Sequence, residues 1–230
     1  MSHSITIQKL ARLFLFFLLC FAVRPADVKP GSVKGRWPIK TSLPEGTDVT
    51  QTGTLVALSD LLALPPAADS MTEQFETVRY PKTAGANYAE GQIVRTRGYL
   101  RLVAGENDGD YHIQISETPD TFDNSLVVEV PKDDPVFIAN APDLIPVAKS
   151  VRAWVITSLK LTRDPLGLTI PMRNPPYVEV TGQLFFDAAH EADTKGGKYR
   201  GKDINGKQLP SKTVWEIHPI TRIAFAPVPK

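Results

Sequence analysis

The stretch QIVRTRGYLRLV, residues 92–103, limits this chain more than any other. Val94, Thr96, Leu100 and Leu102 fall on one face, and Arg95, Arg97, Tyr99 and Arg101 on the other. A period of two over this length belongs to a strand with one face against a core. Gly98, in mid-strand, has no side chain to pack and marks a bulge or a tight bend.

The elements that follow can be read from turn residues and periodicity. GENDGD makes a turn. YHIQIS is a second strand with Tyr111, Ile113 and Ile115 inward, and SLVVEV (125–130) is a third, closed by Pro131. Leu144, Val147, Val151, Val155 and Leu159 recur at spacings of three and four, the apolar stripe of a helix. Asp143 is its candidate N-cap, and Pro146 is tolerated in the first turn. After the turn RDPLG, YVEVTGQLFF (177–186) is a fourth strand with Val178, Val180, Leu184 and Phe186 inward. A polar loop from about Ala188 to Lys212 leads to the last strand, TVWEIHPITRIAF, interrupted at Pro219. Three strands, a helix and two strands predict a mainly β domain over 91–230. The expected form is a five-stranded OB-like Greek-key barrel with its helix between strands three and four. Gly98 suits a first strand that bends to join both halves of such a barrel. The alternative is an open α+β sheet with a covering helix.

The N-terminal third is different. Lys9 and Arg12 precede the apolar run LFLFFLLCFAV, residues 13–23. That run is shorter than the roughly 20 residues of a membrane span and matches a secretory signal. Cleavage after Ala26 gives a signal peptide over 1–26; a short retained anchor is the alternative. Leu19 before Cys20 departs from a lipoprotein signal. The expected destination is the periplasm or the exterior, with no membrane span after cleavage. Cys20 is the single cysteine, so a cleaved chain has no disulfide, thiol chemistry or cysteine-based metal site. Residues 27–90 read as a proline-rich extension, mostly connection. Its one patterned piece is a short helix near 59–64, capped by Ser59 and ended by Pro65-Pro66.

The runs DGDYHIQIS, SLVVEVP, VEVTGQLFFDAAH and TVWEIHPITRI, over about 92–225, together resemble a group of bacterial secreted proteins. That group has GDYH-like, VTG-x-x-F-x-D-x-x-H and WEIHP-like motifs in the same order. The resemblance implies an exported domain of that kind and carries over no catalytic residue.

Two sets of polar residues bear on function. Asp187, His190, Glu216 and His218 flank the long loop and have the chemistry of a metal-dependent hydrolase. Against this, Glu216 and His218 have the parity opposite to Trp215 and Ile217, as outward residues on a half-buried strand do. In the expected topology strands two and five are separated by strand three, roughly 10 Å apart. Strands one and four run antiparallel there, so the loops after them lie at opposite ends, and His112 is expected at the end away from Asp187, His190 and Glu216. ENDGD misses the register of a calcium loop, and no nucleotide or hydrolase signature is present. No cofactor and no metal are expected. The second set is Arg95, Arg97, Tyr99 and Arg101, with His112 and Gln114 expected on the same open face and Lys198, Tyr199 and Arg200 in the loop. The net charge of +1 excludes a generally basic nucleic-acid binder but leaves room for such a patch. These residues point to a non-enzymatic binding module for an anionic polymer, a glycan or a partner protein. A structural envelope or assembly module is a further alternative.

Overall fold

The structure, a computed structural model, describes residues 36–65, 77–82, 87–120, 124–188, 199–202, 205 and 208–229, with the backbone alone at 199–202, 208 and 209. The signal-like run and His190 lie outside the described residues. In chain order the elements are α1 (Trp37–Lys40), β1 (Thr54–Leu55), α2 (Leu58–Leu62), β2 (Ile93–Gly105), β3 (Tyr111–Ser116), β4 (Ser125–Val130), α3 (Leu144–Ser158), β5 (Thr169–Pro171), β6 (Tyr177–Phe186), β7 (Tyr199–Lys202) and β8 (Gln208–Phe225). The fold is mainly β, built on one mixed sheet. β2 pairs with β3, β3 with β4, β4 with β8, β8 with β6, and β6 returns to β2. The ring is uneven, because β4 and β8 run parallel while the other four pairings are antiparallel.

β2 closes this ring by changing neighbours along its length. Residues 93–99 pair with β6, and residues 99–105 pair with β3. Where β6 ends, β5 takes over the same edge opposite Leu102 to Ala104; β1 covers the other edge before β3 begins. The register slips between Leu100 and Leu102. One extra residue in a strand reverses the faces beyond it. Val103 therefore enters the core after Leu100, while Leu102 turns to the outer face beside Ala104, which corrects the expected position of Leu102. Gly98 lies ahead of this bulge and serves a close approach. A Cβ there would stand 2.9 Å from the Ser116 carbonyl oxygen and 3.0 Å from Leu58 Cδ2.

The core is filled from the expected positions of the other strands. Tyr111, Ile113 and Ile115 of β3, Leu126, Val128 and Val130 of β4, and Val178, Val180, Leu184 and Phe186 of β6 are buried in one cluster with Trp215 and Ile217 of β8. α3 presents Leu144, Ala148, Val151 and Val155, whereas Val147 and Leu159 are only half-buried. Arg152 lies on the buried side too, its guanidinium 3.5 Å from the centre of the Tyr111 ring. Asp143 already has helical dihedrals and makes no side-chain cap. α2 starts after Ala57, so Ser59 falls inside the helix and does not cap it.

β8 passes through Pro219 without a break, and the His218–Pro219 peptide is cis. The strand absorbs extra residues as an irregularity opposite Gly182: Gly182 pairs with Ile220, and Leu184 pairs with Ile217. A Cβ at Gly182 would collide with the Pro219 carbonyl and lie 2.7 Å from Ile217 Cγ2 and Ile220 Cα. The loop expected over 188–212 contains β7, which pairs with the early part of β8.

Trp215 is 3% exposed, packs against the Phe186 ring at 5.1 Å and donates its indole N–H to the Pro65 carbonyl at 2.7 Å. Trp215→Ala should cost about 3–5 kcal/mol in urea denaturation. Gly182→Ala should cost about 1–3 kcal/mol through overpacking at the β6–β8 crossing. Unchanged midpoints would refute this packing.

Candidate functional site

The outer face of β3, β4 and β8 is mostly polar, with Val127 the apolar member of its centre. Its polar residues are Asp110, at the entry to β3, then His112 and Gln114, Glu129, and Glu216 and His218. On a sheet with one wet face, these would be solvated. They are instead sealed, with Glu216 3% exposed and the other five at 0%. This corrects the expectation that Glu216 and His218 face water. The parity was right, but a second layer covers that face.

Part of this cover is the strap formed by Arg36–Ser42. Pro38 sits in the first turn of α1, where its missing N–H costs nothing. Thr41 Oγ1 donates to the Trp37 carbonyl at 2.9 Å, and Ser42 Oγ to the Pro38 carbonyl at 2.6 Å, closing the segment on itself. Arg36 and Lys40, one helical turn apart, fasten it. The Arg36 guanidinium meets both oxygens of Glu90, at 2.6 and 2.7 Å, and donates to the Phe186 carbonyl at 2.9 Å. Glu90 in turn accepts from the amides of Tyr80 and Phe186. The Lys40 ammonium stands 2.8 Å from Asp110, 3.2 Å from Glu129 and 3.3 Å from Asp108. Gln183 of β6 ties strap to sheet, donating to the carbonyls of Ile39 (3.2 Å) and His218 (2.9 Å).

The histidines join this cluster through Glu129. His112 Nδ1 lies 2.7 Å from Glu129 Oε1, and His218 Nε2 lies 3.4 Å from Asp110 Oδ2 and 3.9 Å from Glu129 Oε2. Glu106 approaches His112 at 3.6 Å. Strands β3 and β8 are indeed one strand apart, but the long Glu129 side chain on the strand between them spans the gap. His112 and His218 thus belong to one cluster, which corrects the expectation that His112 stands away from the β8 residues.

Burial alone would lower the Lys40 pKa. The carboxylates of Asp110, Glu129, Asp108 and Glu216 outweigh that and raise it well above its ordinary value. Burial pushes the Asp110 carboxyl up to about 7, against the downward pull of Lys40. Among the described residues, two triads, Glu106–His112–Glu129 and Asp110–Glu129–His218, bring potential metal-ligating atoms within 4.8 Å of one another. In the second triad the positive charge is already supplied by Lys40, which a dication would have to displace. We assign no metal ligand here.

The remaining expected site residues are dispersed. Arg95 and Arg97 share Glu179, at 3.6 and 2.7 Å, and Tyr99 packs edge-on against Tyr177 at 4.9 Å. Arg101, His112 and Gln114 do not join them on an open face. Arg101 sits at the bulge, 5% exposed, with its guanidinium directed to the Thr118 carbonyl at 3.2 Å. Asp187 is 9% exposed, and its amide donates to the Val214 carbonyl. Of the hydrolase set, Glu216 and His218 are sealed under the second layer, and His190 is outside the described residues. Lys198 is also outside them; Tyr199 and Arg200 belong to β7, where only the backbone is described. The sequence reading missed Arg36, Lys40, Glu90, Asp108, Asp110 and Glu129. One signal was available: β3, β4 and β8 all carry ionisable or amide side chains at the outward parity, and Glu129 interrupts the apolar run from Leu126 to Val130.

No family model matches the chain, and no curated protein and no solved structure matches it. Among the described residues no helix is long and apolar enough to cross a membrane.

Replacing Lys40 by Met keeps the stem but leaves Asp108, Asp110 and Glu129 facing one another. The expected loss is about 3–5 kcal/mol in urea denaturation, the cost of breaking a buried ion pair. Combining Lys40→Met with Asp110→Asn should cost less than the sum of the two single changes, because the residues share one interaction.

Proposed function

We propose that this chain is an exported, non-enzymatic, OB-like binding module that takes a saccharide on the outer face of β2, β6 and β8. The ring order β2–β3–β4–β8–β6, with α3 between β4 and β6, supports the OB-like reading. The signal-like sequence over 13–23 supports export. The non-enzymatic reading rests on the sealing of Asp110, Glu129, Glu216 and His218, since a general acid or base must reach its substrate.

The observation that carries the ligand assignment is a set of cross-strand rows. Arg95, Thr181 and Arg222 form one row across the three strands; Arg97, Glu179 and Ala224 form the next; Tyr99 and Tyr177 form a third. Glu179 lies between two of these guanidinium groups, hydrogen-bonded to Arg97 at 2.7 Å and ion-paired with Arg95 at 3.6 Å. A polyanion finds Arg95 and Arg97 partly neutralised by Glu179, and only Arg222 of the three arginines in these rows lies outside that pairing among the described residues. Sugar hydroxyls both donate and accept, so they match alternating donors and acceptors. The adjoining tyrosine pair offers an apolar ring surface with a polar tip. Beside Arg222, an open cleft of about 420 Å³ continues the face between the loop Val49–Thr52 and the first turns of α3. Its polar lining of Thr50, Gln51, Ser150 and Thr221 extends the same chemistry.

Titration with neutral and acidic oligosaccharides, heparin and single-stranded DNA at two salt concentrations tests this. Oligosaccharide binding with little salt dependence is expected. Arg97→Gln combined with Tyr99→Ala should weaken it by about tenfold or more with the fold retained, since surface changes cost about 0.5 kcal/mol or less. Binding confined to heparin and DNA, falling steeply with salt, would replace the saccharide by a polyanion. Binding to none of the ligands would remove the reading.

A further inference from the structure

The strap has two fastenings of different kinds. At Arg36 a guanidinium meets a carboxylate in a paired fork, and two backbone amides also donate to Glu90. At Lys40 one ammonium faces three carboxylates. Asp110 Oδ1 is steadied by the Lys132 amide at 3.3 Å, and Asp108 Oδ1 accepts the Asp110 amide at 3.2 Å. Among the described residues, the titratable groups facing this fastening are Glu106 at the end of β2, Asp108 in the turn, Asp110 and His112 at β3, Glu129 on β4, and Glu216 and His218 on β8. β6 contributes the neutral Gln183, and α3 sends Arg152 to the Gly109 carbonyl, behind Asp110.

We propose that the strap is a proton-linked latch, anchored at Arg36 and releasable at Lys40, which closes over the outer face of β3, β4 and β8 in mild acid and loosens as the medium becomes alkaline. The geometry gives the reason. Closing the strap gathers Asp108, Asp110 and Glu129 around the Lys40 ammonium and shuts Asp110 and Glu129 away from water, so the closed state gains when Asp110 takes a proton. Released into water, Asp110 has the ordinary carboxylate value of about 3.9; under the strap, burial pushes it up to about 7. The closed state therefore binds more protons than the open state between these values, and lowering the pH favours it. This contribution is complete below the ordinary carboxylate value and is lost as pH rises through about 7. Between pH 8 and pH 6 the ratio of closed to open strap should rise about tenfold. Lys40 stays charged across this range, because its own pKa is raised. Opening separates Lys40 from Asp110 and Glu129 and frees His218 from the Lys40 carbonyl, which its ring nitrogen meets at 3.1 Å. Solvent thereby reaches Asp110, the group on which the strap closes through Lys40.

Hydrogen exchange on the full chain reads the latch directly. The amides of Lys40, Thr41 and Ser42 bond within the strap, to the carbonyls of Arg36, Trp37 and Ile39. After correction for intrinsic exchange, their protection should be about tenfold lower at pH 8 than at pH 6, while the amides of β3 and β4 keep theirs. Asp110→Asn, which cannot ionise, should flatten the difference. Equal protection of the strap at both pH values would overturn the proposal, as would strap amides that change in step with β3 and β4. A tenfold change that survives in Asp110→Asn would also overturn it. The wild-type comparison decides the matter by itself if that variant does not fold.

Discussion

The structure depends on one strand serving two neighbours on each edge. β2 gives its first half to β6 and its second half to β3, and the ring closes only because both pairings exist at once. A flat strand cannot do this, since its two halves would point their side chains into one plane. The bulge between Leu100 and Leu102 re-aims the second half. Gly98 lets α2 and the end of β3 come against the backbone ahead of the bend. The same bulge directs Arg101 inward to the Thr118 carbonyl and so removes it from the open basic face.

Closure leaves the sheet with an inner face that fills a core and an outer face that is solvated in some places and sealed in others. The sealed part is built from charges. Removing ions from water costs several kcal/mol each, so a buried ion pair adds little net stability while its disruption costs much. What Arg36 and Lys40 do is position the strap. Their separation of one helical turn matches Glu90 on one side and the Asp110–Glu129 pair on the other. A strap shifted by one residue would bury two unpaired cations.

The outer face thus has an open part and a sealed part. Arg95, Arg97, Tyr99, Glu179 and Tyr177 remain at least partly accessible and have the mixed donor, acceptor and ring chemistry of a recognition face. Asp110, His112, Glu129 and His218 have stronger chemistry but no access to solvent while the strap is closed. The proposed recognition role rests on this separation, and in the proposed latch the strap is the element through which solution conditions reach the buried charges.

The sequence by itself determined what local rules can reach. Alternation and turn residues placed β2, β3, β4, β6 and most of β8. The three- and four-residue spacing placed α3, and parity put Trp215 and Ile217 inward. Each of these follows from a side chain's relation to its own strand or helix. Only the tertiary structure decided which outward residues are wet. Glu216 and His218 obey the parity of a solvated face, yet a segment more than 170 residues earlier covers them, through His218 and Lys40. Lys40 and Arg36 carried no local signal, because a lysine and an arginine in a proline-containing stretch look like connection until the carboxylates they meet are known. Burial of a charge is a property of the pair, and the partners here are set by the ring closure, which no window of the sequence contains.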